Sequence, residues 1–583
     1  MKKAFYLIFI VGVTFTLFPL IAQAISLGER DSFYINSKYD LQEREDILAT
    51  LQRIGESAYF YIDDEWWSEL DETERTTVKE SLRVLDQEFH YKIYPTLTSV
   101  FGLERRPGID KDVKITILIH PMNDKASGYF DSKDEYPKLQ VTNSNEKEML
   151  YLNSDYINIA YVKSLLAHEF VHLITFNQKE HTRGIEEEVW LNEVRAEIAP
   201  TLVGYNDTYR GSYLQTRVSK FLEYPSNPLT EWTGDEKDYA VLSLFAHYVV
   251  DHYGAEIFGD SLKSQEVGIS SLNKALKNNG FEEDFSQVFT DWTVAILVND
   301  CSLGEKYCYK NENLQNVRVA PSINFLPLKG TSTFGTAQTS KNWSGKWFKI
   351  IGGDGTLNIE FIGNPDSVFK VPYVVKDSED EYSLGYFQLT TEQRGDISIS
   401  GFGSEIASVI IIPTVQTKTT GFTNPEKSFS FFWSASITKE DEKNDQNSNS
   451  SLLDKPISGM SKAEILAKIS EIERLLNQLR AQLSQFGNPG PSEVSCQEFT
   501  QNLSFGLRNN SRVRCLQEFL KFQGSEIYPE GIVSGNFFSL TKTAVIRFQE
   551  KYSQDILVPW GLSEGTGYVG KTTREKINEL LGT

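Results

Sequence analysis

The sequence predicts a multidomain chain in which an α+β domain is followed by an all-β sandwich, a short coiled coil and a small α-helical module. Three observations predict it. Helix-like and strand-like periodicities mix from residue 25 to about 312, short alternating runs broken by Gly and Asn-Pro fill 313–438, and a heptad seam follows a polar stretch. At 583 residues the chain is also too long for one compact core. The expected boundaries are 1–24 for a leader, 25–312 for the α+β domain, 313–438 for the sandwich, 439–459 for a linker, 460–486 for the coiled coil, 487–494 for a second linker and 495–583 for the last module.

The leader begins Met1-Lys2-Lys3, continues with an apolar run from Ala4 to about Ile21 and ends in Ala22-Gln23-Ala24. A positive start, an apolar stretch and a small-x-small site make a secretory signal, cleaved after Ala24. An uncleaved anchor is the alternative, because the run is close to spanning length. Export is expected either way. The 58 Lys and Arg are outnumbered by 80 Asp and Glu, a net charge of −22. That balance argues against nucleic acid as a partner, since a phosphate backbone needs a basic surface. Export also permits disulfides, and Cys301 with Cys308 and Cys496 with Cys515 are the economical pairs. None has the close Cys-x-x-Cys spacing of a zinc site.

In the α+β domain, Val78, Leu82, Leu85, Phe89 and Ile93 recur at three and four residues, one apolar helical face. Lys114 to His120 is rich in β-branched residues and reads as a strand, as does Glu148 to Asn153. Helices follow at Val162–Phe176, at Val189–Ile198 with Pro200 as the stop, and at Tyr239–Tyr253 closed by Gly254. In the sandwich, Leu357-Asn-Ile359-Glu-Phe361 and Ile397-Ser-Ile399-Ser alternate apolar and polar, and no catalytic constellation is visible. The linker at 439–459 is charged and polar and is expected to be disordered. Ile465, Ile469, Ile472, Leu476, Leu479, Leu483 and Phe486 then form a seam about three heptads long, which either self-associates or serves as a spacer helix.

The chemistry concentrates in His168-Glu169-Phe170-Val171-His172. Residues four apart on a helix differ by about 400°, so the two imidazoles lie roughly 40° apart, one turn along, and both reach one metal ion. Glu169, beside the first ligand, is placed to contact a metal-activated water instead of the ion. A third ligand is available in Glu186-Glu-Glu-Val-Trp190-Leu191-Asn192-Glu193. Taken alone, Glu193 reads as a surface helix carboxylate and Glu186 to Glu188 as a solvated acidic run.

His-Glu-x-x-His followed some twenty residues on by Trp-Leu-Asn-Glu resembles the gluzincin zinc metallopeptidases, which include thermolysin and the zinc aminopeptidases. The resemblance covers roughly residues 30 to 300 and implies a zincin-like fold. It implies one Zn²⁺ held by His168, His172 and Glu193, with Glu169 as general base. Glu197, one turn after Glu193, matches the acidic residue that orients a ligand histidine. Tyr239, with His247 as second choice, stands near where the family carries an oxyanion donor. The remaining His90, His120, His181 and His252 show no partner pattern and read as structural. The family's exopeptidases capture the substrate amine with Gly-x-Met-Glu-Asn, which is absent, so endopeptidase action on a protein or peptide is implied. The strand Glu148–Asn153 resembles the family's edge strand, where extended substrate pairs.

Residues 496 to 583 resemble the small helical type of peptidoglycan-binding domain. The matching stretches include Val513-Arg-Cys515-Leu516-Gln517, Gly531-Ile-Val-Ser-Gly535 and Thr541-Lys-Thr-Ala544-Val545. Two departures are Asn509-Asn510-Ser511-Arg512 where Gly-Ser-Asp is usual, and Phe538 where Gly follows Phe537. Together the parts imply a secreted, wall-associated zinc endopeptidase. An endopeptidase of peptidoglycan cross-links, or a non-catalytic wall-anchored adhesin with a degenerate protease domain, are the competing readings.

Overall fold

The computed structural model describes residues 25–326, 333–438 and 498–581, the last without residues 506, 508, 509, 525, 530, 532, 534, 536 and 538. The expected leader, both linkers, the coiled-coil segment, Cys496, Asn509 and Phe538 lie outside the described residues. The chain divides into two units, residues 1–444 and 445–583.

The first unit opens with β1 (Arg30–Tyr34), β2 (Asp46–Ile54) and β3 (Ala58–Asp63), then α1 (Asp64–Glu69), α2 (Glu72–Glu88) and α3 (Tyr94–Phe101). The apolar stripe of α2 runs through one π-helical turn, Phe89–Ile93, into α3, so Phe89 and Ile93 stay buried with Val78, Leu82 and Leu85. Three strands follow: β4 (Ile115–His120), β5 (Gly128–Tyr129) and β6 (Met149–Asn153). The sheet order is β1-β2-β3-β4-β6-β5, with β3, β4 and β6 mutually parallel and β5 antiparallel at the edge. Every residue of β4 and β6 is buried, as expected of strands covered on both faces.

One expectation is corrected here. The strand proposed at Glu148–Asn153 is not the edge of the sheet, because β5 pairs with its outer side through Gly128↔Leu152 and Tyr129↔Tyr151. A two-residue strand is too short to leave a periodic signal.

Seven helices complete this part: α4 (Tyr161–Phe176), α5 (Val189–Leu202), α6 (Tyr213–Glu223), α7 (Glu236–Tyr253), α8 (Glu256–Leu262), α9 (Gly268–Asn278) and α10 (Phe285–Val298). Leu166, Phe170 and Leu173 of α4 join Ile117 and Leu150 of the sheet and Leu191 and Val194 of α5 in one core. The stop expected before Pro200 does not occur. Pro200 lies inside the last turn of α5, buried, where its missing N–H forfeits one bond and its carbonyl accepts from the Tyr205 N–H at 2.8 Å. Gly254 ends α7 with φ +83°, a conformation open to glycine.

The second half of this unit is all β: β7 (Ser322–Leu326), β8 (Thr333–Lys341), β9 (Phe348–Gly352), β10 (Gly355–Gly363), β11 (Phe369–Lys370), β12 (Pro372–Asp377), β13 (Tyr382–Tyr386), β14 (Arg394–Phe402), β15 (Ile406–Ile411), β16 (Thr414–Val415) and β17 (Ser428–Thr438). The run β14-β10-β17-β8 meets the run β13-β12-β15, extended by β9 and β7, at the single pair Phe402↔Ile406. Both contribute to one core, where Phe348 of β9 lies 5.5 Å from Trp433 of β17. Trp343, Trp347, Ile410 and Ile412 instead join the core of the helical part. Trp343 packs on Phe285 and Phe289, and the Trp347 indole N–H donates to the Thr293 carbonyl at 2.9 Å. The all-β half is therefore welded to the helices by aromatic burial.

In the second unit, helices Ser511–Phe522, Ser539–Lys551, Ser553–Ile556 and Lys571–Leu581 surround Leu516, Phe519, Leu520, Val545 and Phe548. Asn510, one of the departures noted in the sequence, caps the first helix by accepting from the Arg512 and Val513 N–H groups. Gln517 accepts from Gly535 and donates to Thr541, and Gln549 repeats the arrangement with Gly567 and Thr573. Among the described residues of the chain, no helix is long and apolar enough to cross a membrane.

Candidate metal centre

Helix α4 is apolar on nearly every side, so burial on the sheet fixes its rotation and presents His168 and His172 on one face. Helix α5 crosses beside it and brings Glu193 to the same point. His168 Nε2 lies 3.2 Å from His172 Nε2 and 3.4 Å from Glu193 Oε2, and His172 Nε2 lies 3.6 Å from that oxygen. A tetrahedral zinc with bonds of about 2.0–2.1 Å sets its ligand atoms about 3.3–3.4 Å apart, so the triangle has the size of one face of that tetrahedron. Glu193 Oε2 is buried with no hydrogen-bond partner. A buried acceptor left open is costly unless a cation takes it. The donor set therefore fits a divalent metal, and among the described residues it is the group of three that does.

Electrostatics support the same roles. Burial pushes the Glu193 carboxyl up, but His172, His168 and Arg217 outweigh it and hold the group below the usual carboxylate range. Burial pushes Glu169 up to about 7, Glu193 adding to the effect while His172 and the Phe130 backbone oppose it. A cation among the ligands draws that value down again. Glu169 faces the edge strand: a Cβ on Gly128 would stand 3.3 Å from Glu169 Cγ and 2.9 Å from the Tyr151 carbonyl. Glycine there lets β5 lie against the motif glutamate.

Glu197 lies at ion-pair distance from the ligand His168 and is itself held by two further groups. Its Oε1 is 3.7 Å from His168 Nδ1, too long for a hydrogen bond. The Arg217 guanidinium takes both of its oxygens, at 2.9 and 3.0 Å, and the Tyr213 hydroxyl donates to it as well. The residue next to the third ligand, Asn192, makes the orienting contact to the other histidine: its Oδ1 accepts from His172 Nδ1 at 3.1 Å. Asn192 went unnoticed in the sequence, although it sits inside the Trp-Leu-Asn-Glu motif.

Tyr239 lies in the first turn of α7, its ring centroid 6.2 Å from that of His168 and 4.8 Å from that of Trp232, with Arg217 4.7 Å over its face. Burial and then the charges of Glu193, Glu169 and Glu197 push its hydroxyl well above the usual tyrosine range, so it stays protonated. His247 is buried two turns further on. Its Nδ1 faces the Ser243 carbonyl and its Nε2 the Thr201 hydroxyl, both at 2.7 Å, and burial pushes its pKa down to about 4. Both nitrogens are spent away from the metal ligands. His120 is likewise packed against Asp40, His90 against Ser57 and His252 against the Cys308 carbonyl, while His181 is exposed.

The acidic run before α5 is not simply solvated. Glu186 is exposed, but Glu187 is buried against Arg195 at 2.8 Å and Lys179 at 3.6 Å, and it accepts from the Gly268 N–H. Glu188 accepts from the Trp190 indole and from Thr420 and Gly421 of the loop between β16 and β17. These anchors fix the start of the helix that carries Glu193. Cys301 and Cys308 are joined by a disulfide. Cys515 is also disulfide-bonded.

The chain is similar to a known metalloprotease. It is 27% identical over 243 residues to the neutral metalloprotease ShpI of Staphylococcus hyicus, across 36% of this chain and 52% of that protein. The chain thus spans about half the length of this relative. No family model matches. Two solved structures share 9% identity over 20% of the chain, each with a TM-score of 0.14: the pre-peptidase C-terminal domain of a collagenase from Bacillus anthracis, covered over 96%, and the lysozyme inhibitor PliG of Aeromonas hydrophila, covered over 100%. Scores this low assign neither fold nor function.

Proposed function

We propose that the chain is a secreted zinc endopeptidase of the gluzincin type, with a zincin-like α+β domain, an attached β-sandwich and a C-terminal module that binds peptidoglycan. The observation that carries this reading is the triangle of His168, His172 and Glu193, with its size and its open carboxylate oxygen. Similarity to a metalloprotease supports it.

His168, His172 and Glu193 would hold the zinc, which when bound supplies Lewis acidity and a means of acidifying water. Asn192 fixes the His172 tautomer by accepting at Nδ1, leaving Nε2 free to ligate. Glu169 takes the proton of the attacking water and delivers it to the leaving amine. The Tyr239 hydroxyl, kept protonated, donates to the oxyanion that develops on the peptide carbonyl. The open side of β5 offers backbone groups to an extended substrate, which lies beside Glu169. The exported chain then acts on protein substrates at the wall.

The test is casein hydrolysis by the mature protein with and without a chelator, alongside zinc content. Loss of activity with the metal and its return on adding zinc are expected. Chelator-resistant proteolysis, or a purified chain that takes up no stoichiometric zinc, would overturn the reading.

A further inference from the structure

Between the loop leaving α6 and the near end of the sandwich lies a cleft of about 490 Å³ that none of the metal ligands lines. Three charged residues border it, and two are compensated. Glu223 pairs with Lys220 at 3.2 Å and Lys341 with Glu231 at 2.6 Å. Lys346 forms no ion pair among the described residues. Burial pushes its ammonium below the usual lysine range, and no carboxylate opposes that effect. A partly buried cation without a counter-charge is unfavourable in itself. It is unusual in a chain with 80 acidic residues, and it becomes favourable when an incoming anion completes the pair.

The rest of the lining narrows the kind of anion. Hydroxyls of Ser226, Thr339 and Ser428 border the cleft with Asn227, whose amide N–H donates to Asp238 at 2.9 Å, and the Tyr224 ring stands 46% exposed at its rim. A second hollow of about 280 Å³ shares Ser226 and Lys346 and continues past Asn324, Thr336 and Gln338. Lys346 therefore stands at the junction of two polar hollows. A simple anion would use the amine alone. An acidic peptide also pairs with the amine, but it brings one backbone donor and one acceptor per residue, fewer polar groups than a sugar ring carries. A sugar bearing a carboxylate matches the amine with its charge, the hydroxyls with its own, and the exposed Tyr224 ring with its face.

We propose that this cleft is an accessory binding site for an acidic saccharide, with Lys346 pairing to the sugar carboxylate, the hydroxyl and amide lining meeting the ring hydroxyls, and Tyr224 covering one ring face. The site is separate from the metal centre, so its test does not depend on peptidase activity.

The experiment is calorimetric titration of the full mature chain with a hyaluronan tetrasaccharide, which carries glucuronate, beside neutral chitotetraose and triglutamate. The tetrasaccharide is expected to bind at least tenfold more tightly than chitotetraose, and triglutamate not to compete. Lys346→Gln should abolish that preference, Lys346→Arg should retain it, and casein hydrolysis should be unchanged in both. Tyr224→Ala, an exposed position that leaves folding intact, should weaken both sugars. Equal binding of acidic and neutral sugars, wild-type binding by Lys346→Gln or Tyr224→Ala, or equal competition by triglutamate would each overturn the proposal.

Discussion

Replacing Glu187 by Gln removes the one negative charge from a buried set that holds two positive ones. Glu187 is 8% exposed, while Arg195 at 2.8 Å and Lys179 at 3.6 Å are fully buried. The amide of Gln can still accept from the Gly268 N–H, so the charge is what is lost. Breaking a buried pair by removing one partner costs about 3–5 kcal/mol. Two features hold the cost near the lower end. Burial already brings Lys179 down to about 8, so it sheds its proton readily once Glu187 is gone. Arg195 keeps its bond to the Ser261 hydroxyl at 2.8 Å. About 3 kcal/mol is expected at pH 6, and less at pH 9, where Lys179 is neutral in the parent protein as well. Urea unfolding of residues 25–438 measures it, with Glu186→Gln as the exposed neighbour expected within about 0.5 kcal/mol. Because Glu187 anchors the start of α5, zinc affinity should fall in parallel. Equal midpoints for the two variants would refute the claim that this cluster holds the ligand helix.

Three further outcomes are expected. Glu193→Gln should lose zinc and activity together, with partial rescue by excess zinc, as measured by metal content and casein turnover. A chain ending at Thr438 should keep its activity, whereas one ending near residue 312 should fail to fold, seen as lost soluble yield, because Trp343, Trp347, Ile410 and Ile412 complete the helical core. Burial pushes Asp134 up to about 7, so the folded state binds a proton more tightly than the unfolded chain. Its contribution to stability is present below about pH 4 and is lost as pH rises through 7; Asp134→Asn should therefore raise the unfolding free energy at pH 8, by on the order of 4 kcal/mol, and change it little at pH 4.

Local signals were legible where side-chain period and a single element decide the outcome. The apolar faces of α2 and α4 are continuous in sequence, and the His-Glu-x-x-His spacing places both imidazoles on one turn without help from the rest of the fold. What the sequence hid depends on partners far along the chain. Glu187 and Glu186 are neighbours of the same type, and only Arg195 on the next helix and Lys179 on the preceding turn distinguish the buried one. Glu197 faces His168, but that Arg217, twenty residues on and four after Tyr213, also holds both of its oxygens is not visible from the motif. Pro200 reads as a stop by its own chemistry, yet tertiary burial in the last turn carries the helix past it. The edge strand β5 is two residues long and owes its place to pairing with β6. The same holds for the all-β half, where nothing near Trp343 or Trp347 in the chain shows that they pack on α10.

The central claim is that His168, His172 and Glu193 hold the metal while Glu169 moves the proton. Glu169→Gln separates the two most directly, because the amide is nearly isosteric and cannot take a proton. Metal content and casein turnover of the purified variant are measured side by side with the parent. The account predicts stoichiometric zinc and a turnover lower by about 10²–10⁴, the size of a lost general base. Loss of zinc from this variant, or turnover equal to the parent, would contradict it.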